Sequence, residues 1–250
     1  TDGLKELPTH GKRHGGLLAA AGKLGGGAGD NVRLALLGIV FKSKALPEQY
    51  NQAQFVMWLR REGLFDAVEA ELNAVGRSVA QELPHMYVSS HLAKALLKAR
   101  QGFAHSDADA RQLIKAQFPQ VTDITNEQMV SAITEALTAD GKFPLTLVVL
   151  DEVQQYIGTD ADKAYKVQEI TESLCKHFRG ELLFVGTGQS ALTGTPSLQK
   201  IKGRFPVEVM LGDWDVENVT RKIILAKKPS ALPAVEKVWR DNLGEISRHL

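Results

Sequence analysis

Four short apolar runs interrupt a chain that is otherwise patterned for helices. Leu145–Leu150 and Leu182–Val185 are continuous apolar segments, which is typical of strands buried on both faces of a parallel sheet. Leu17–Leu24 predicts a further strand that ends in a glycine-rich turn, and Val207–Leu211 predicts a fourth. Because helical segments separate these strands, we expect an α/β fold, with a parallel sheet and flanking helices. Such sheets present functional groups at the carboxyl ends of their strands.

Helical periodicity fills the stretches between the predicted strands. Asp30 or Asn31 can cap a helix that Pro47 ends. The region of about 48–142 is patterned almost wholly for helices, which predicts a long helical insertion. A crossover helix is expected at about 160–178.

The same pattern predicts how the chain is organised. Residues 1–211 are expected to form the α/β core together with its insertion. Residues 212–250 are expected to begin a helical lid subdomain, with Pro229 and Pro233 interrupting its helices. The first sixteen residues are polar and rich in glycine, which predicts a loop.

Composition narrows the class of protein. The chain of 250 residues has a formal net charge of +1, so no global field indicates a nucleic acid or an anionic membrane as partner. The single cysteine, Cys175, fits a reducing compartment and is expected to be packed within a helix. No apolar run approaches the roughly 20 residues that span a bilayer, and the amino terminus has no apolar signal region. The histidines show no spacing typical of metal ligands. We expect a cytoplasmic protein without a membrane partner, present as a piece because the initiator methionine is lacking.

The strongest chemical signal is the pair Asp151–Glu152, which directly follows the apolar run that ends at Leu150. A P-loop NTPase needs one carboxylate at the end of such a strand to hold Mg²⁺, usually through water. It needs a second carboxylate to orient and deprotonate the attacking water. Asp151 suits the first role and Glu152 the second. The alternative is that two acidic residues merely solvate the end of a strand.

Two downstream features support the NTPase interpretation. Thr187 and Gln189 follow the next strand, and either can present a polar group to a γ-phosphate without competing for the metal, although this segment is also a good turn. Arg204 precedes the predicted strand at 207, where an arginine finger reaches into a neighbouring subunit's site. Lys202 is the second candidate for the finger, and the alternative is an ordinary surface arginine.

The phosphate-binding loop of this class of protein, G-x-x-x-x-G-K-[ST], has no match in the chain. The nearest segment runs from Gly16 to Leu24 and contains Gly22-Lys23, with one residue too many between the glycines. Leu24 also has no hydroxyl to offer to Mg²⁺. We interpret this segment as a strand of the sheet, and we expect the phosphate-binding loop upstream of Thr1.

Three segments resemble the large P-loop ATPases, of the AAA+ type, from BREX-type phage-defence systems and related ATPases of formerly unknown function. The segments are Ala28–Gly63 (AGDNVRLALLGIVFKSKALPEQYNQAQFVMWLRREG), Leu147–Gly158 (LVVLDEVQQYIG) and Leu182–Leu211, which contains LLFVGTGQSAL and GRFPVEVML. The resemblance covers about residues 16–228. The second and third segments correspond to the Walker B strand and a sensor-like strand that many AAA+ proteins share, and the first segment points to this particular group.

The resemblance implies ATP hydrolysis by an oligomer of this protein within a multi-protein antiphage assembly. The implied cofactors are ATP and Mg²⁺, with the metal on Asp151, partly through water, the catalytic carboxylate on Glu152 and a sensor on Thr187. The implied partners are further copies of the chain, other defence-system proteins and DNA-modifying proteins. The chain departs from the family in lacking the phosphate-binding loop, so we expect it to be inactive by itself.

Two other classes of function are open at this point. The chain could be a non-catalytic, ATPase-like scaffold whose helical insertion binds a protein partner. It could also be a DNA-binding module that uses the region 197–240, in which Lys and Arg outnumber Asp and Glu. A DNA-binding module predicts an affinity that falls steeply with salt concentration.

Overall fold

The computed structural model describes residues 2–24, 31–188, 203–210 and 212–249. Three parallel strands form one sheet in the order β1-β2-β3, with β1 at Leu17–Lys23, β2 at Leu145–Asp151 and β3 at Leu182–Gly186. Helices flank this sheet, which confirms the predicted α/β fold and three of the four predicted strands.

Helices account for most of the remaining described chain. Two helices flank β1 in sequence, α1 at Asp2–Arg13 and α2 at Val32–Ser43. The stretch between α2 and β2 contains α3 at Tyr50–Arg61, α4 at Phe65–Asn73, the short α5 at Val79–Glu82, a 3₁₀ turn at Leu83–His85, α6 at Ser90–Ala99, α7 at Asp107–Gln117 and α8 at Asn126–Leu137. Between β2 and β3 lie α9 at Val153–Ile157 and α10 at Ala161–Phe178. The predicted helical insertion and the predicted crossover helix are therefore both helical.

Side-chain caps explain where several of these helices begin. The Asn31 carboxamide oxygen accepts hydrogen bonds from the amides of Arg33 and Leu34 at the start of α2. Asp160 caps α10 in the same way, and Thr125 and Gln128 form a reciprocal capping box at the start of α8. Each cap pairs an amide at the first turn that has no partner within the helix.

The sheet is covered fully on one face only. Along β2, Thr146, Val148 and Leu150 are buried, and on this side α2 packs on β1 and α10 packs on β3. The opposite face of β2 is half-buried, and on β3 the side chain of Leu183 is 62% exposed. The prediction that the strands are buried on both faces is therefore wrong for the described residues. An apolar run shows that a strand could be covered twice, but not that a second layer is present.

The fourth predicted strand is also wrong over its described residues. Residues 207–210 form no strand, and Val207 and Val209 are 79% and 78% exposed, while Leu211 lies outside the described residues. A strand requires a hydrogen-bonded neighbour, and its apolar pattern does not reveal whether one is available.

The chain divides into two compact units, Thr1–Pro206 and Val207–Leu250. The described part of the second unit contains α11 at Asp213–Val219, a π-helical turn at Thr220–Ile224, a 3₁₀ turn at Pro229–Ala231 and α12 at Leu232–His249. Pro229 lies between helices as predicted, but Pro233 does not interrupt one. It occupies the first turn of α12, where a backbone N–H has no helical partner to lose.

Two further expectations need correction. The first sixteen residues are not a loop, because α1 occupies most of them. Basic residues in its last turn favour a helix end, and Gly11 lies so close to Leu17 of β1 that an added Cβ would come within 2.8 Å of the leucine side chain. Cys175 lies in α10 as predicted, but it is exposed rather than packed. Partial burial of its thiol raises the pKa of Cys175.

No helix among the described residues is long and apolar enough to cross a membrane.

Arg33 joins three helical segments next to the sheet. Its side chain is only 13% exposed. The guanidinium donates to Asn126 at 2.7 Å, to Asp123 at 3.2 Å and to Glu169 at 3.3 Å. It thereby connects the start of α2 with the start of α8 and with α10. Two of these three helices, α2 and α10, cover the sheet.

Replacing Arg33 with methionine is expected to lower the free energy of unfolding by about 2 kcal/mol, because charged hydrogen bonds are lost and carboxylates are left without their cation. Urea denaturation of both proteins measures this difference. Arg61→Met is the matched control, since Arg61 contacts Glu135 at 2.6 Å but is 60% exposed, and it should cost about 0.5 kcal/mol or less. Equal losses for the two variants would contradict the role of Arg33.

The contribution of Arg33 is also expected to depend on pH. Burial opposes ionisation of Asp123, but hydrogen bonds from Asn31, the Ile124 amide and Arg33 outweigh it, and the pKa of Asp123 lies below its ordinary value of 3.8. A depressed pKa stabilises the folded state above the ordinary value, and this stabilisation is lost as the pH falls through the folded-state pKa. The difference between wild type and Arg33→Met should therefore narrow as the pH is lowered below about 4. A difference that stays constant down to acid unfolding would contradict the ion pair.

Candidate active site at the carboxyl ends of the strands

Asp151 and Thr187 meet where two neighbouring parallel strands end. Asp151 is the last residue of β2, and Thr187 directly follows β3. The Thr187 hydroxyl donates a hydrogen bond to Asp151 Oδ1 at 2.5 Å, and it accepts one from the Glu152 backbone amide at 3.3 Å. One hydroxyl group thus contacts both acidic residues of the Asp151–Glu152 pair.

Backbone hydrogen bonds fix the same corner of the sheet. The Thr187 amide donates to the Leu150 carbonyl at 2.9 Å, and the Val153 amide donates to the Thr187 carbonyl at 3.1 Å. These bonds continue the β2–β3 pairing past the ends of both strands. The position of Thr187 relative to Asp151 is therefore set by the sheet and not by a free loop.

Glu152 adopts an unusual backbone conformation. Its φ and ψ are 54° and 38°, in the left-handed region that residues other than glycine rarely occupy. This single residue reverses the chain between the end of β2 and the start of α9. Residues held in this region cost on the order of 1 kcal/mol or more and are concentrated at functional sites. The side chain of Glu152 is 19% exposed, so its carboxylate is partly shielded from water.

Lys23 is the site residue that the sequence analysis missed. It ends β1 and lies beside Asp151 in the register of the two strands. Its ammonium contacts Glu152 Oε2 at 2.5 Å. The pKa of Lys23 is raised, mainly by its hydrogen bond with Glu152 and secondly by the negative charge of that carboxylate. The signal that could have identified Lys23 was its place at the end of a strand expected to lie in the same sheet as Asp151.

The sheet therefore brings three charged groups and one hydroxyl to a common edge: Lys23, Asp151, Glu152 and Thr187. Both acidic residues are held by specific contacts rather than projecting freely into solvent.

The segment after β3 runs against α9. A Cβ added at Gly188 would come within 2.6 Å of the Gln154 side-chain oxygen, so only glycine fits there without displacing Gln154. The Phe205 ring lies next to Gly186, at 3.8 Å from the position of an added Cβ. Gln189, the second candidate for a polar sensor, and Lys202, the second candidate for an arginine-finger role, lie outside the described residues.

Arg204 contacts its own chain. Its guanidinium nitrogen Nε lies 2.5 Å from Glu172 Oε1 on α10, and both side chains are roughly half exposed. Exposed ion pairs of this kind contribute little free energy, so the contact can be exchanged for another anion at small cost. The finger role of Arg204 stays a prediction.

The donor atoms present suit Mg²⁺ but do not enclose it. Among the described residues, no group of three or more His, Cys, Asp or Glu side chains could hold a metal ion. Asp151 offers carboxylate oxygen, and Mg²⁺ is commonly bound in proteins through one or two carboxylates together with water and substrate phosphates. The chemistry of Asp151 therefore fits a magnesium ion whose remaining ligands come from water and a bound anion.

The described residues do not provide for the phosphates themselves. The segment nearest to a phosphate-binding loop is strand β1, which confirms its interpretation as a strand. Its Gly22 packs against α2, where an added Cβ would lie 2.8 Å from the Ile39 side chain. A phosphate cradle needs consecutive backbone N–H groups that converge on an anion, whereas successive N–H groups of the extended strand β1 point alternately toward β2 and away from it.

Comparison with known proteins found no family model and no solved structure that matches this chain.

The backbone strain at Glu152 can be measured by comparing two substitutions. Glu152→Gly and Glu152→Ala both remove the contact with Lys23, but only glycine adopts the left-handed conformation without a steric penalty. We expect the glycine variant to be more stable by about 1 kcal/mol, measured by urea denaturation. Lys166, an exposed residue within α10, serves as the control, because there alanine should be the more stable by about 1 kcal/mol. The same order of stability at both positions would show that Glu152 is not strained.

Proposed function

We propose that this chain carries the magnesium-and-water half of an ATP-hydrolysing site of the AAA+ P-loop type. The observation that carries the proposal is the contact between Thr187 and Asp151, which unites the predicted sensor and the predicted metal ligand at the ends of adjacent parallel strands. The order of the strands is consistent with this assignment, because β2 is central and β3 lies directly beside it.

Each residue has a role that its chemistry suits. Asp151 would hold Mg²⁺, partly through water, and the ion would neutralise charge on the β- and γ-phosphates. Glu152 would accept a proton from the attacking water, whose oxygen forms a bond to the γ-phosphorus as the bond from that atom to ADP breaks. Thr187 keeps Asp151 in place and lies where a hydroxyl could contact the γ-phosphate.

Lys23 would pair with the Glu152 carboxylate and thereby keep it in a fixed position. The Glu152 oxygen Oε2 is occupied by the hydrogen bond from Lys23. Proton transfer from water to this oxygen would therefore require the Lys23 contact to lengthen or to be replaced.

The phosphates and the neighbouring subunit must be supplied from outside the described residues. Arg204 would enter the site of a neighbouring copy after leaving Glu172. Gln189 would add a second polar group beside Thr187. The wider role in an oligomeric antiphage assembly of BREX type, with other defence proteins as partners, is supported by the sequence resemblance alone.

Conversion of Glu152 to glutamine is expected to lower the rate of ATP hydrolysis by at least about 100-fold, because the amide cannot accept the proton from water. Nucleotide binding should persist, since the charge that holds Mg²⁺ lies on Asp151. The measurement is steady-state phosphate release together with equilibrium binding of a fluorescent ATP analogue, on the protein in a form that includes a phosphate-binding loop. Glu71→Gln is the matched control, because Glu71 is an exposed-surface partner of Lys98 distant in sequence from the site.

Undiminished hydrolysis in Glu152→Gln would overturn the assignment of the base. Absence of hydrolysis from the wild-type protein, with a phosphate-binding loop present and nucleotide bound, would favour the scaffold function over the enzyme. Binding of DNA through the region 197–240 stays a separate prediction. Of its candidate residues, Arg221, Lys227 and Lys228 are exposed, whereas Lys200 and Lys202 lie outside the described residues.

A further inference from the structure

The outer edge of β1 is a row of backbone groups without a strand beside it among the described residues. β1 stands at one end of the sheet order. In a parallel pair, alternate residues direct both their N–H and their C=O to the same neighbour. The Gly16 carbonyl accepts from the Leu145 amide on the β2 side, so residues 16, 18, 20 and 22 face β2. Leu17, Ala19, Ala21 and Lys23 direct their backbone groups away from the sheet.

This edge lacks the features that usually prevent pairing. Natural edge strands are protected by proline, by charged residues or by a bulge. The sequence of β1, LLAAAGK, has one charge, at its last residue, and no proline. It pairs with β2 in unbroken register over all seven residues, without a bulge. The edge is therefore regular, and most of it is uncharged.

A cavity adjoins the same edge. It has a volume of about 390 Å³ and lies between the end of β1 and the helix α2, with Gly22, Lys23, Leu34, Gly38 and Ile39 among its lining residues. The cavity lies beside Gly22 and not above it, because the Ile39 side chain covers Gly22 so closely that an added Cβ would come within 2.8 Å of it. Lys42 and Glu48 also line the cavity. A strand placed beside β1 would place one side chain, opposite Gly22, next to this cavity.

A second β1 strand supplies such a side chain in one antiparallel register. When Ala19 lies opposite the partner subunit's Ala21, the outward backbone groups of both strands are paired. Ala20 then lies opposite the partner's Ala20, and Gly22 lies opposite the partner's Leu18. Leu18 is on the buried face of the sheet and only partly buried in a single copy. The registers shifted by one pairing step in either direction place no large side chain opposite Gly22.

Charge is consistent with the same register. Lys23 lies opposite the partner's Leu17, so the two lysines are kept apart and no like charges face each other. The arrangement has a twofold axis through Ala20, and each copy therefore gives and receives the same contacts, as in most homodimers.

We propose that two copies of this chain pair through the outer edges of β1 to form a continuous six-stranded sheet, with Leu18 of each copy next to the cavity beside Gly22 of the other. This interface is independent of the proposed ATPase function. It leaves Asp151, Glu152 and Thr187 on the other side of β1 from the partner strand.

Sedimentation velocity over a range of protein concentrations, in a reducing buffer that keeps Cys175 from forming disulfides, tests the proposal. Wild type should show reversible monomer–dimer exchange. Ala19→Pro removes one outward N–H and leaves the β1–β2 hydrogen bonds intact, because proline is tolerated on the open side of an edge strand. We expect it to weaken dimerisation by at least about tenfold. Ala19→Val, which keeps the N–H and favours strand geometry, should dimerise at least as well as wild type.

A charge-pair design keeps the test decisive even if the proline variant does not fold. A variant with Ala19→Glu and Ala21→Glu places like charges opposite each other in the proposed register and should be monomeric, as should the variant with Ala19→Lys and Ala21→Lys. Mixing the two should restore a dimer of one copy of each. The proposal is overturned if wild type stays monomeric up to millimolar concentration, or if the glutamate and lysine variants dimerise by themselves as well as wild type does.

Discussion

Parallel pairing of β2 with β3 brings Asp151 and Thr187 side by side, and a single hydroxyl then joins the ends of the two strands. That hydroxyl donates to Asp151 and accepts from the Glu152 amide. It therefore also contacts the turn that carries the Glu152 carboxylate. The candidate site thus depends on the register of the sheet, in which the buried residue Leu150 directly precedes the acidic pair.

Electrostatics within the site are arranged around opposite charges. Lys23 reaches Glu152 from the neighbouring strand β1, so the cation at the end of β1 contacts the proposed base. Asp151 instead accepts its hydrogen bond from the neutral Thr187 hydroxyl. This separation matches the different tasks proposed for two adjacent carboxylates, one binding a metal and the other accepting a proton.

The sequence predicted the parts of the fold that arise from local pattern. The expected cap at Asp30 or Asn31 placed the start of α2 correctly, helical periodicity located α10, and continuous apolar runs located β2 and β3. Two of the failures depended on partners elsewhere in the chain. The apolar run at 207–210 pairs with no strand among the described residues, and the same residues do not fully cover the second face of β2. α1 was missed because the glycines, the proline and the polar residues of this segment have low helix propensity or are typical of loops.

The candidate site shows the same division. The proximity of Asp151 and Thr187 could be predicted from the sequence, because each lies at the end of an apolar strand and the strands of a parallel sheet end at a common edge. Lys23 could not be assigned to Glu152 in advance, since the pairing requires the register between β1 and β2. The left-handed conformation of Glu152 could not be predicted from the sequence either, because glutamate rarely adopts that conformation.

A crystal structure of the protein with a phosphate-binding loop present, soaked with Mn²⁺ and a non-hydrolysable ATP analogue, tests the central claim most directly. Manganese replaces magnesium at oxygen-rich sites and is located by its anomalous scattering. The account predicts an anomalous peak within coordination or single-water distance of Asp151, with Glu152 facing the γ-phosphate. A metal and nucleotide bound elsewhere, with Asp151, Glu152 and Lys23 unchanged, would contradict it.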